Sequence, residues 1–109
     1  MTRALITTAA LLLLLPAVGQ AQDGAALYET HCARCHGKTG AADTWRGRLM
    51  FATNLGTAAF QQRNSNADIL AAIERGPGLM PAFAETLSLD ERKALVQVVR
   101  RFSAGSAAD

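Results

Sequence analysis

Cys32-Ala33-Arg34-Cys35-His36 decides how this chain folds, because it holds the chain's two cysteines, three positions apart, with a histidine directly after the second. On one helical turn, residues three apart share a face. Both thiols can therefore reach the same side, and each can add to one vinyl group of a haem lying flat against that turn. The imidazole of His36 then projects at the iron. This is the spacing of covalent haem attachment. Three other uses of the same residues fit less well. A disulfide across three residues closes a tiny loop and stabilises little. A thioredoxin-like thiol pair belongs in a βαβ setting, which the surrounding sequence lacks. A zinc site is short of donors, since Cys32, Cys35 and His36 make three and His31 is adjacent and badly aimed.

An iron held by His36 needs a partner on the opposite face, and Met50, Met80 and His31 are the candidates. Met80 stands in Gly76-Pro77-Gly78-Leu79-Met80-Pro81. Its glycines permit close approach to a macrocycle, and its prolines fix the backbone, so a thioether can be held with little loss of entropy. Met50 lies among apolar neighbours and reads as packing around the cofactor. His31 is expected to face solvent or to bond nearby backbone. A His/Met pair favours ferrous iron, because soft sulfur donates weakly to ferric iron. It also fills both axial positions, which favours electron carriage over oxygen or peroxide chemistry. The competing function is a gas-binding or sensing haem protein with a labile sixth ligand. Trp45, Arg46 and Arg48 form a further candidate set, since an indole N–H and guanidiniums suit two haem propionates. The alternative there is a core tryptophan beside solvated charges.

Outward from this motif the patterning is helical, and no window alternates with period 2 as a strand would. The chain reads as an all-α domain. Asp23 suits an N-cap for a first helix over 24–34, with Ala26, Leu27, Thr30 and Cys35 sharing a face. Residues 37–66 carry only weak periodicity, yet Trp45, Leu49, Met50, Phe51, Leu55 and Phe60 are too apolar for a free linker. Asn66 is expected to cap a second helix that ends at Gly76 before Pro77. Ser88 and Glu91 form a capping box for a third, 89–102, whose Leu95, Val98, Val99 and Phe102 make one apolar stripe. That stripe and the first helix should bury each other. Residues 103–109 read as a frayed tail.

The amino-terminal stretch stands apart from this domain. Arg3 precedes an apolar run from Ala4 to Leu15, then Pro16 and small residues to Ala21. These are the regions of a secretory signal peptide, and the run is too short for the roughly 20 residues of a membrane-spanning helix. Residues 1–21 are thus expected to be cleaved, leaving 22–109 as one domain outside the cytoplasm, with no membrane span. The whole chain carries 11 Lys and Arg against 9 Asp and Glu, a net +2 that becomes +1 once Arg3 is removed. Scattered, mixed charges of this kind exclude nucleic acid as a partner, since phosphate binding requires clustered cations. A domain this small needs a staple, and a covalent cofactor is one.

These residues resemble the class I cytochrome c family. Gly24, Leu27, Tyr28, Cys32, Cys35, His36 and Gly37 match its amino-terminal pattern. Ile73, Gly76, Gly78, Met80, Pro81 and Phe83 match its distal-ligand segment, and Leu95, Val96, Val99 and Arg100 its last helix. The resemblance covers nearly all of 22–109, with 41–65 matched least. It implies three main helices wrapped round one haem c, the first and last crossing each other. It also implies a periplasmic electron carrier, working between a donor dehydrogenase and an acceptor oxidase or reductase, or serving as the small cytochrome subunit of a dehydrogenase. Two features depart from the pattern. Many relatives have a proline soon after the Cys-His-Gly segment whose carbonyl accepts the histidine N–H, and 38–46 contain none. Val98 also stands where many relatives place an aromatic, which implies a looser helix crossing.

Overall fold

A carboxylate opens the first described helix. Asp23 accepts from the Ala26 amide at 3.1 Å, filling one of the orphan donors of a helix start, and α1 follows over Gly24–His31. The chain is described by a computed structural model that covers Ala4 and residues 23–106. The expected leader, Ala4 apart, lies outside the described residues. α1 does not run unbroken to Arg34. It pauses at Cys32 and resumes as α2, Ala33–His36, and the Cys32 amide still donates to the Tyr28 carbonyl at 2.8 Å, so the axis is nearly continuous.

The rest of the described chain is also helical. α3 spans Trp45–Leu49, α4 Ala58–Arg63, α5 Asn66–Arg75 and α6 Leu89–Ser106, and the described residues contain no strand. Two short helices therefore occupy the segment whose periodicity is weak. Each is opened by a threonine hydroxyl, Thr44 for α3 and Thr57 for α4. Ser65, rather than Asn66, caps α5, in a reciprocal capping box with Asp68. The Ser88–Glu91 box forms as expected, at 2.9 and 3.1 Å. α6 continues to Ser106, into the stretch expected to fray.

The core forms where α1, α5 and α6 meet. Tyr28, Ile69, Ile73, Leu95, Val96, Val98 and Val99 are buried in it, with Phe83 and Leu87 from the loop between α5 and α6. On α1 the inward face is Gly24, Leu27 and Tyr28, whereas Ala26 and Thr30 are exposed, so the buried stripe is rotated from the expected one. The crossing of α1 and α6 is close. A Cβ on Gly24 would lie 2.7 Å from the Ala94 carbonyl oxygen and 2.9 Å from Val98 Cγ2. The aromatic that packs on α1 comes one turn later than Val98: Phe102 meets Tyr28 edge-on, with centroids 5.1 Å apart.

Polar clamps fix the smaller helices to this frame. Gln61 on α4 donates to the Leu55 carbonyl at 2.7 Å and the Val99 carbonyl at 3.0 Å. Arg100 on α6 gathers the α4–α5 junction, bonding Asn66 at 2.6 Å, the Gln61 carbonyl at 3.0 Å and also the Asn64 carbonyl. A planar guanidinium can hold several acceptors at once. Arg92 does the same for α5, pairing with Glu74 at 3.2 Å and reaching the Ala84 carbonyl at 3.2 Å.

Candidate functional site

α2, α3 and the loop after α5 enclose one cleft of about 600 Å³, within the roughly 300–1,000 Å³ usual for cofactor and ligand sites. Cys32, Cys35 and His36 stand on one wall, and Pro77, Gly78, Leu79, Met80 and Pro81 on another. The sequence-predicted attachment residues and the predicted distal methionine are thus brought to one space. Trp45 and Arg46 also line it, whereas Arg48, on the same helix, is exposed and outside the lining.

His36 is held in a defined tautomer. Its Nδ1 lies 2.9 Å from the Thr53 carbonyl oxygen. A carbonyl can only accept, so the proton sits on Nδ1 and the Nε2 lone pair is left to bind a metal. Burial lowers the pKa of the ring, and the bond to Thr53 offsets only part of that shift; the ring is therefore neutral near pH 7. Thr53 thus does the work of the missing proline. Sequence reasoning missed it because the acceptor is a backbone carbonyl, which any residue type provides.

Cys32 is poised differently from a redox thiol. Cys32 and Cys35 are half-buried and form no disulfide. Burial, and secondarily the neighbouring Cys35, pushes the Cys32 thiol up to about 11, whereas thiol oxidoreductases depress theirs. Among the described residues no group of three or more His, Cys, Asp or Glu is placed to hold a metal ion.

The opposite wall is built from backbone constraints. α5 ends at Gly76 in the left-handed region, φ 64°, where its amide still donates to the Ala72 carbonyl at 2.8 Å. A Cβ there would collide with the Met80 carbonyl oxygen, so only glycine lets the chain turn this tightly. Met80 is half-buried and packs on the core. The loop returns through Phe83, whose amide donates to the Ile73 carbonyl at 2.9 Å.

The rim contains the largest exposed apolar side chains near the cleft: Trp45 at 69 %, Leu49 at 66 %, Phe51 at 87 % and Leu79 at 56 %. Trp45 is therefore no core residue; Arg46 stacks over its ring at 5.3 Å. Phe51 adopts φ 57°, a conformation costing a bulky residue about 1–3 kcal/mol. Met50 also lines the cleft and is exposed. His31 departs from expectation: it lines the cleft and meets Phe83 edge-on at 5.5 Å.

The residues present fit a haem. Two thiols share one wall, a neutral imidazole presents one free nitrogen, a thioether stands on the facing loop, and the lining is mainly apolar. The comparisons with known proteins agree. A family model described as cytochrome c oxidase, cbb3-type, subunit III matches residues 19–97. Among solved structures, the KustC0563 c-type cytochrome is similar at 41 % identity, covering 73 % of this chain and 96 % of its own, with a TM-score of 0.69. No curated protein matches the chain.

Proposed function

The chain belongs to the class I c-type cytochromes, and from that membership we propose that it is a periplasmic single-electron carrier with one haem c, bonded to Cys32 and Cys35 and ligated by His36 and Met80. The observation that carries this reading is the cleft itself, where both cysteines, the tautomer-fixed imidazole and the methionine loop line one apolar space. When bound, the haem supplies a one-electron ferric/ferrous couple. The chain's own residues do the rest. His36 offers Nε2 while Thr53 holds its Nδ1 proton, which raises the basicity of the ligating nitrogen. Met80 offers sulfur from a loop with little freedom to lose. With both donors engaged, a haem held here would be disfavoured as an oxygen binder. Apolar side chains at the cleft, the buried Phe83 among them, would lower the polarity around a bound haem and so disfavour the more highly charged ferric state.

Trp45 and Arg46 are the candidate propionate partners, standing on the lining with N–H donors to offer. Redox proteins are the proposed partners, a dehydrogenase as donor and an oxidase or reductase as acceptor. The description of the matching family, an oxidase subunit, leaves room for a carrier that works while assembled. No helix among the described residues is long and apolar enough to cross a membrane. Co-purification from periplasm or native membranes separates a diffusible carrier from a subunit.

The test is an absorbance spectrum of the purified protein, oxidised, reduced, and reduced under carbon monoxide. Sharp c-type bands on reduction, a weak far-red sulfur-to-iron band on oxidation and no response to carbon monoxide are expected. A ferrous spectrum that shifts with carbon monoxide would replace the carrier with a gas-binding haem protein.

A further inference from the structure

A single hydroxyl joins the two helices behind His36. Thr44 Oγ1 lies 2.7 Å from the Arg34 carbonyl oxygen and 3.1 Å from that of Cys35, and it accepts from the Gly47 amide at 2.9 Å. A hydroxyl has one proton to give, so it donates chiefly to Arg34 and shares with Cys35. Both carbonyls belong to the last turn of α2, where intrahelical donors have run out. The Gly47 amide belongs to the first turn of α3, where intrahelical acceptors are missing. One side chain therefore caps two helix ends. The helices can approach because residue 47 is glycine: a Cβ there would collide with the Cys35 carbonyl oxygen.

α3 passes this constraint on to the imidazole. The Ala52 amide donates to the Gly47 carbonyl at 2.8 Å, and the next residue, Thr53, supplies the carbonyl that accepts from His36 Nδ1. The path from Cys35 through Thr44, Gly47, Ala52 and Thr53 returns to His36, so it starts and finishes on adjacent residues of the attachment turn. We propose that Thr44 is a positioning residue for His36, its hydroxyl fixing α3 against α2 and thereby setting where the Thr53 carbonyl meets His36 Nδ1. The proposal rests on ligation by His36. Loosening that carbonyl weakens the imidazole as a donor, which disfavours ferric iron and raises the potential.

Thr57 provides an internal control. It caps α4 in the same way, accepting from the Phe60 amide at 3.1 Å, but α4 contributes nothing to the cleft lining. The experiment compares haem-loaded wild type, Thr44→Val, Thr44→Ser and Thr57→Val by reduction potential and by NMR exchange of the His36 Nδ1 proton. Thr44→Val is expected to raise the potential and to speed proton exchange about tenfold, the factor that corresponds to one lost hydrogen bond of ~1.4 kcal/mol. Thr44→Ser should restore both, and Thr57→Val should move neither. Unchanged values in Thr44→Val, or equal shifts in Thr57→Val, overturn the proposal. If Thr44→Val fails to mature, wild type alone decides: the Gly47 and Ala52 amides and the His36 Nδ1 proton should show protection equal within about threefold, as one opening unit does, and unrelated protection overturns the coupling. A wild type without attached haem sinks the ligation reading and this inference together, whereas a haem-bearing wild type with an unmoved Thr44→Val sinks this inference alone.

Discussion

The two walls of the cleft are stiffened by different means. Behind His36, hydrogen bonds from side chains and backbone close on one another: Thr44 to Arg34 and Cys35, Gly47 to Thr44, Ala52 to Gly47, His36 to Thr53. The Met80 loop is anchored at its base, by Phe83 on Ile73 and Ala84 on Glu74 at 3.3 Å, while the turn itself has the Met80 amide on the Pro77 carbonyl at 3.1 Å and otherwise relies on Gly76 and two prolines. A bonded wall holds a ligand by enthalpy; a loop of glycine and proline holds one by having few other conformations to adopt. The first should keep its ligand under perturbation and the second should be where ligation gives way.

The largest loss is expected at the attachment turn. Cys32→Ala combined with Cys35→Ala should abolish the haem adduct, and the chain should lose cooperative unfolding with it, measured by intact mass and thermal melting. Met80→Ala should be milder: the haem stays bonded, the far-red band disappears, the potential falls and carbon monoxide now binds. An unchanged spectrum in Met80→Ala would transfer the sixth ligand to Met50, which also lines the cleft.

Gly76→Ala perturbs the opposite wall. It places a Cβ against the Met80 carbonyl at a positive φ, and it should destabilise by about 1–3 kcal/mol. The far-red band should weaken before the ferrous c-type bands change, as measured in a denaturant titration. The smallest effect is on acid sensitivity. Hydrogen bonds from the Ser65 amide and hydroxyl region hold the Asp68 carboxyl below its ordinary 3.8. A group depressed on folding stabilises the fold above its unfolded pKa and loses that contribution as pH falls from about 4 through the folded value. Asp68→Asn should therefore flatten the acid limb of stability against pH for α5 and the loop it leads into, while the His36 Nδ1 proton exchanges as before.

That Cys32, Cys35, His36 and Met80 belong to one site was legible, because residue identity and spacing single them out, and the fold brings all four to one cleft. The all-α class and the main helices were legible too, since the α6 stripe and its Ser88–Glu91 box repeat over many residues. α3 and α4 were not: helices of five and six residues are too short to establish a period, and a threonine cap alone does not announce one. The α1 face was misplaced because Gly24, the residue of closest approach to α6, carries no apolar signal. Trp45 illustrates a different limit. Its type marks it for burial or for hydrogen bonding, but only the fold puts it on the rim with Arg46 over its ring.

One haem bonded through Cys32 and Cys35 would add its mass to the chain, which is read from the intact mass of the protein matured by a host able to attach haem c. A single added haem, carried on the peptide that contains both cysteines, is the result expected. A mass equal to the bare polypeptide would contradict it.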